Sequence, residues 1–421
     1  MTRAEYGANL VLERFKYSAV ELQGVGPIPI ALSEADLVRR IADFSIETQS
    51  WGYVSTGTRF KVFHTPGTPR NVWEKIDDAA LVHQLTGVTP TVALHIPWDM
   101  VDDFTALSAY ATDAGISIGS ISPNLFQDDD YRLGSLTNVD PGIRRKALEH
   151  AIACVDIMRQ TNSTTLSMWL ADGTNYPGQG DFRTRRAWLR EGLGALHDAL
   201  DPDMRMILEY KLFEPAFYHT DVADWGQSLS LCRAIGERAQ VLVDLGHHAL
   251  GVNIEHIVAT LIAENRLGGF DLNAKRYADD DLMVGTTNPY ELFLIMAELT
   301  GAEADSDPAV VDHVRQVLYK IDQCAMIEDK LPAMIRSIEA CQIAFTKSLL
   351  IDRQALIEAQ LVGDVVWANS IVEDAFLTDV RPLIAIARET LGVQPNPLAT
   401  YRRSDAPRRR RDERVGTPAG W

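Results

Sequence analysis

No stretch of this chain approaches the roughly 20 consecutive apolar residues that a membrane-spanning helix needs, and the N-terminus lacks a charged segment followed by an apolar run and a small-residue cleavage site. Neither a membrane partner nor secretion is expected. Cysteine is scarce: Cys154, Cys232, Cys324 and Cys341 are widely scattered and form no CxxC pair, which gives no disulfide framework and no zinc-ribbon spacing. A reduced, cytoplasmic setting is the expectation. Positive charge is short as well, with 40 Lys and Arg against 58 Asp and Glu and a formal net charge of −18. That balance speaks against a nucleic-acid partner, because affinity for phosphate backbones comes largely from clustered Lys and Arg. A Walker-type phosphate loop and a dinucleotide fingerprint are missing too. Gly115-Ile116-Ser117-Ile118-Gly119 does satisfy the GxSxG pattern of hydrolases, but it follows a helix and enters a strand, the reverse of a nucleophile elbow.

What the chain does have is a regular alternation. From about Ser33, amphipathic helical patterns alternate with short apolar runs, the layout that generates parallel strands joined by crossover helices. Strands are expected near Trp51 and at Val92–Trp98, Ile116–Asn124, Thr164–Leu170, Arg205–Lys211, Ala239–Asp244 and Phe270–Asn273, with a last one near Leu318–Asp322. Between them fall helices such as Val72–Thr86, stopped by Gly87, and Ile143–Gln160, led by Asp140-Pro141. Eight such strands predict a closed (β/α)8 TIM barrel, whose bare form needs only about 250 residues. The 421 residues divide accordingly into a helical lead-in at 1–45, the barrel at 46–330, a C-terminal helical extension at 331–400 and a basic, disordered tail at 401–421. The extension reads as two helices, Ala333–Gln360 and Asp364–Leu391, whose apolar positions Ile338, Ile343, Phe345, Leu349, Val372, Phe376 and Val380 can pack on the barrel or on a neighbouring subunit.

In such a barrel, chemistry sits at the C-terminal ends of the strands. Here those ends are acidic: Glu209-Tyr210-Lys211, Asp244-Leu245-Gly246-His247-His248, Asp271 with Asn273, the run Asp279-Asp280-Asp281, and Asp322. Any one carboxylate at a strand end reads as a helix cap or surface charge. Their joint spacing reverses that reading, because unpaired charges of one sign converging on a barrel mouth repel, and divalent cations are the natural counter-charge. Residues two apart on a strand face the same side, so Glu209 and Lys211 can both face the centre. Mixed carboxylate and imidazole donors suit manganese, cobalt or magnesium better than a thiolate-selected metal. His248 is expected to point elsewhere, and turn chemistry accounts for Asp172, Asn175 and Gln179 as readily as function does.

Longer motifs then narrow the reading. LHIPWD at Leu94–Asp99, DGTNYPGQ at Asp172–Gln179, EPAFYHTDVADWG at Glu214–Gly226, VDLGHH at Val243–His248 and DDDL at Asp279–Leu282 resemble the L-rhamnose isomerase family, especially its bacterial branch of broad-specificity sugar isomerases, over roughly Trp51 to Tyr401. The resemblance implies a homotetramer with two divalent ions per subunit, manganese being the leading choice. It implies that Glu209, Asp244, Asp271 and Asp322 hold one ion, and that His247, Asp279 and Asp281 join the shared Asp244 around a second, catalytic one. Lys211 would steady a substrate oxygen, with Asp281 and His95 also placed in the catalytic set, His95 assisting ring opening. Trp51 and Trp169 would wall the monosaccharide, and Phe126 would approach a neighbouring active site.

Departures surround the site. Asp271 stands where the family usually has histidine, Asn273-Ala274-Lys275-Arg276 replaces a more polar stretch, and Gln323-Cys324-Ala325-Met326 also differs. The expected function is interconversion of a free aldose and its 2-ketose, an L-rhamnose-type deoxyhexose or a related aldohexose, by ring opening and metal-assisted hydride shift. An epimerase or lyase using the same site, or a catalytically weak sugar-binding barrel, stands as the alternative.

Overall fold

The computed structural model describes residues 32–55, 62–214 and 218–416. Eight parallel strands close into a barrel: β1 (Glu47–Gln49), β2 (Thr91–Ile96), β3 (Ser117–Pro123), β4 (Thr165–Met168), β5 (Arg205–Glu209), β6 (Ala239–Asp244), β7 (Leu267–Leu272) and β8 (Leu318–Ile321). Each strand pairs with its sequence neighbours, and β8 closes on β1 through Lys320 opposite Glu47. The (β/α)8 expectation is met. Helices on the outside bury the outer strand face while side chains fill the interior, so the strands read as near-continuous apolar runs. Two short strands, Phe213–Glu214 and Tyr218–His219, pair antiparallel in the segment after β5.

The connecting helices start where short polar side chains can cap them. Asn71 accepts from the Glu74 N–H at the head of Val72–Thr86, and Gly87, at φ 75°, closes its end. Asp140 caps Pro141–Thr161 by accepting from the Gly142 N–H, with Pro141 in the first turn. Asp181, Asp224 and Asn253 do the same for the helices after β4, β5 and β6.

The first strand is the one most poorly marked by hydrophobicity. It lies at Glu47–Gln49, and Trp51 stands in the 3-10 turn Ser50–Tyr53 that leads from it. All three strand residues are buried although all are polar; Glu47 and Gln49, two apart, share one face and find partners there, the Gln49 amide donating to the Gln323 carbonyl at 3.0 Å. Ser120 donates to Glu47 from its N–H at 3.0 Å and its hydroxyl at 2.5 Å. Gly119, part of the hydrolase-like pattern, leaves the room in which the Glu47 carboxylate lies, since a Cβ there would collide with it. β7 likewise begins three residues before the expected Phe270, at Leu267. Gly268 and Gly269 interrupt its apolar run, yet a Cβ at Gly268 would lie 2.5 Å from Ile207 and one at Gly269 2.9 Å from Leu318. Close strand packing is what these glycines serve.

The C-terminal extension is four helices where two were expected: Lys330–Ser348, Arg353–Leu361, Val365–Leu377 and Arg381–Thr390. Asp352 ends the first long run by capping a new helix through the Ala355 N–H. These helices pack on their own chain. Leu350, Ile351, Ile371, Leu383 and Ile384 share a core with Leu37, Val38 and Ile41 of the helix Glu34–Asp43 and with Phe293 and Ala297 of Pro289–Ala302. The basic stretch corrects another expectation: it is not disordered through Gly416, but forms the helices Pro397–Arg403 and Ala406–Glu413. Arg410 is buried and grips Asp78 with two nitrogens at 3.0 and 2.5 Å, while Arg414 reaches the same carboxylate at 2.9 Å. A composition-based reading misses this because the acidic partner lies on the distant helix Val72–Thr86.

Breaking a buried pair strands a charge, so Asp78→Ala should destabilise the protein by about 3–5 kcal/mol. Arg408→Ala, at an exposed position, should shift it by less than about 0.5 kcal/mol. Chemical denaturation of the two variants checks this, and an Asp78→Ala protein as stable as Arg408→Ala would remove the clasp from the fold's stability.

Candidate active site

The barrel's register sets the site. Asp244, at the end of β6, lies directly opposite Asp271 on β7, and Asp271 lies opposite Lys320 on β8. Glu209 ends β5, and Asp322 follows β8 immediately. A tight turn after β6 holds Asp244 in place, its carboxylate accepting from the Gly246 N–H at 2.6 Å and from the Asn273 amide at 3.0 Å to each oxygen. The same turn swings His247 back over the mouth. Its Nδ1 lies 3.0 Å from both the Tyr210 carbonyl and a Glu209 oxygen, and its Nε2 lies 3.3 Å from Asp279 and 3.8 Å from Asp244.

All six carboxylates named from the sequence converge here with His247. Among the described residues, two groups bring ligand atoms within 4.8 Å of one another: Glu209, Asp244 and His247, and Asp244, Asp271 and Asp322. Asp244 belongs to both groups, and Glu209 falls with His247. Asp279 meets the centre through His247 and through Lys211, whose Nζ is 2.6 Å away. Asp281, in the left-handed region at φ 48°, reaches the cluster through a hydrogen bond with Asp279. The Asp322 carboxylate accepts from the Trp51 indole at 2.8 Å.

The electrostatics follow from burial. Desolvation pushes Asp244 up to about 7, His247 opposes the rise, and Glu209, Asp279 and Asp322 add to it. Burial likewise raises Asp271, Asp281 and Asp322. Burial alone would lower His247, yet Asp244 and Asp279 hold its imidazolium well above the ordinary range. Burial would raise Asp279, but His247 and Lys211 outweigh it and hold that carboxyl well below its usual value. The cluster therefore retains protons that a divalent ion would displace, and its donor set of carboxylate oxygens with one imidazole fits such an ion.

On the β1–β4 side the mouth is aromatic. His95 stacks on Trp98 at 3.7 Å between ring centres and meets Trp51 edge-on at 5.4 Å. Phe126 packs on His95 at 5.8 Å and on Trp169 at 4.6 Å. Phe126 thus closes the wall within its own chain. Lys211 Nζ lies 4.9 Å from the centre of the Trp169 ring, tying the wall to the acidic cluster. Burial, aided by Lys320 and Lys75, depresses the His95 imidazolium well below its usual range, so the ring is neutral. Its backbone N–H donates to Asp99 at 2.8 Å, and Asp99 also pairs with the buried Lys75 at 2.5 Å.

Other polar residues of the motifs make hydrogen bonds within the fold. His248 bonds the Tyr210 hydroxyl at 2.6 Å. Asp172 accepts from the N–H and hydroxyl of both Ser135 and Thr137, and Asn175 and Gln179 are joined within their own turn. Sequence reading missed Lys320, whose Nζ is 3.1 Å from Asp271. The available signal was a lysine two residues before Asp322 in an otherwise apolar strand.

Fold and site together define an α/β barrel with an acidic, metal-competent mouth beside an aromatic wall. No family model matches the chain. A protein named as a probable sugar isomerase from Rhizobium meliloti is 39% identical over 390 residues, covering 90% of this chain and 89% of that one. Another so named, from Mesorhizobium japonicum, is 39% identical over 377 residues, covering 87% and 85%. The chain belongs to the family of these probable sugar isomerases. A xylose isomerase from Thermus thermophilus is 26% identical over 195 residues, covering 44% of this chain and 50% of that one.

Both Asp244 and His247 hold protons in the folded, metal-free protein that the unfolded chain gives up at lower pH. The stability tied to Asp244 is lost as pH rises from 3.8 to about 7, and that tied to His247 is lost as pH rises above 6.5. Buried neutral histidines such as His95 act on the metal-free melt in the opposite sense, so the clean readout is the metal effect: the increase in melting temperature produced by manganese should grow as pH rises from about 5 to about 8. A manganese effect independent of pH over this range would contradict the assignment.

Proposed function

We propose that this chain is a metal-dependent aldose-ketose isomerase acting on a free monosaccharide, with an L-rhamnose-type deoxyhexose or a related aldohexose as the substrate class. The observation that carries the reading is the juxtaposition of Lys211 with the acidic cluster on one side and the Trp169 ring on the other. Glu209, Asp244 and His247 would hold one divalent ion and Asp244, Asp271 and Asp322 a second, with manganese the leading choice and magnesium or cobalt as substitutes. Bound there, the ions would supply Lewis-acid polarisation of the carbonyl and stabilisation of the developing alkoxide.

The chain's own residues do the rest. Neutral His95 can bind the ring oxygen or anomeric hydroxyl and assist opening, because one of its ring nitrogens donates and the other accepts. Trp51, Trp98, Phe126 and Trp169 present apolar faces to the sugar carbons and keep water from the migrating hydrogen. Lys211 steadies the oxygen on which negative charge develops. The conversion moves a hydrogen with its electron pair from C2 to C1 and a proton from O2 to O1, so no redox partner is consumed. The apolar walls of Trp51, Phe126 and Trp169 disfavour the phosphate of a phosphorylated sugar.

A screen of free aldoses for ketose formation, in manganese and in chelator, tests the reading. We expect ketose only with metal, and a phosphorylated sugar at least about tenfold poorer in kcat/KM. Lys211→Met should retain metal and fold while losing about 100-fold or more of turnover. Near-normal turnover in a metal-loaded Lys211→Met protein would take Lys211 out of the reaction, and epimers at C3 without ketose-aldose exchange would make the chain an epimerase.

We further propose a homotetramer. Leu361, Val362, Val365, Val366 and Trp367 are exposed side by side across the turn between two helices of the extension, an apolar patch suited to a second copy. Sedimentation should show a tetramer at micromolar concentration, and Trp367→Glu with Val366→Glu should dissociate it; a wild-type monomer with full activity would reject this.

A further inference from the structure

A buried ammonium needs a compensating charge, and Lys320 is 1% exposed. Its strand register sets it between Glu47 of β1 and Asp271 of β7. The Nζ atom lies 3.1 Å from Asp271 Oδ1 and 3.3 Å from the Ser167 hydroxyl across the barrel, and 5.4 Å from the centre of the Trp51 ring. It is thus a fixed cation built into the wall of the Asp244, Asp271 and Asp322 group.

We propose that Lys320 is the resident counter-charge of Asp271, and that the two act as one unit setting the charge balance and ion affinity of that group. The inference rests on the metal reading above. Glu209, Asp244, Asp271, Asp279, Asp281 and Asp322 bring six negative charges. Lys211, on Asp279, and Lys320, on Asp271, offset two of them. Two divalent ions offset the other four, so the loaded site is neutral with His247 uncharged. Without Lys320 a carboxylate at this position would leave the loaded site anionic. Asp271 can serve both partners, since a carboxylate has two acceptor oxygens and the ammonium pairs with Oδ1. Lys320 is accordingly a positioning residue that repels the neighbouring ion while sustaining the acidic ligand.

The test compares wild type, Lys320→Met, Asp271→Asn and the double variant, by metal-free melting and by manganese titration calorimetry at one pH. Each single variant leaves one buried charge unpaired, so each should melt well below wild type, and the double should melt above at least one single instead of at the sum of both losses. Lys320→Met should bind one manganese ion at least about tenfold more tightly, because a unit positive charge has left its surroundings. Asp271→Asn should bind that ion more weakly, and the double should return toward wild type. Losses that add, with manganese affinity unchanged in Lys320→Met, would overturn the pairing alone. A wild type that binds no manganese would overturn the metal reading and the inference together. If a single variant does not fold, a folded double supports the unit and an unfolded double rejects it.

Discussion

Mutual repulsion of buried carboxylates is the constraint on which the rest of this molecule turns. A closed barrel forces the ends of its strands to converge, and here the converging ends carry Glu209, Asp244, Asp271 and Asp322. Charges of one sign taken out of water at such distances are tolerated only with compensation. The structure supplies part of it through Lys211, Lys320 and the imidazolium of His247, and part through protons retained on Asp244 and its neighbours. What remains is a set of carboxylate and imidazole donors that could hold divalent cations, which is the physical content of the functional reading.

The other side of the mouth answers a different need. An aromatic wall from Trp51 through His95 and Phe126 to Trp169 keeps one half of the site apolar, and Lys211 joins the two halves by lying on Asp279 and over Trp169. Rigidity comes from behind: the Lys75 and Asp99 pair fixes the backbone of His95, and the helix bearing Lys75 also bears Asp78, which the C-terminal arginines clasp. The C-terminal helices are therefore tied to the element that supports the aromatic wall.

Most of the architecture was legible because burial on both faces of a parallel strand leaves a continuous apolar run, and because strand ends in a barrel are where polar residues gather. β1, expected near Trp51, was the least sharply marked, its Glu47, Thr48 and Gln49 being polar yet buried, with Glu47 held by Ser120. Lys320 escaped since a lone lysine within a strand acquires meaning only once the register sets Asp271 beside it. The grouping of Glu209 with His247 depends on how far the turn after β6 folds back, a distance no spacing encodes. The tail was misread because its partner, Asp78, lies more than three hundred residues away, at a separation of 332 from Arg410.

Anomalous diffraction at the manganese edge, from crystals equilibrated with the ion, tests the central claim most directly. The account predicts two peaks at the barrel mouth that share Asp244, one bounded by Glu209 and His247 and the other by Asp271 and Asp322. Well-ordered carboxylates with no anomalous peak among them at saturating manganese would contradict it.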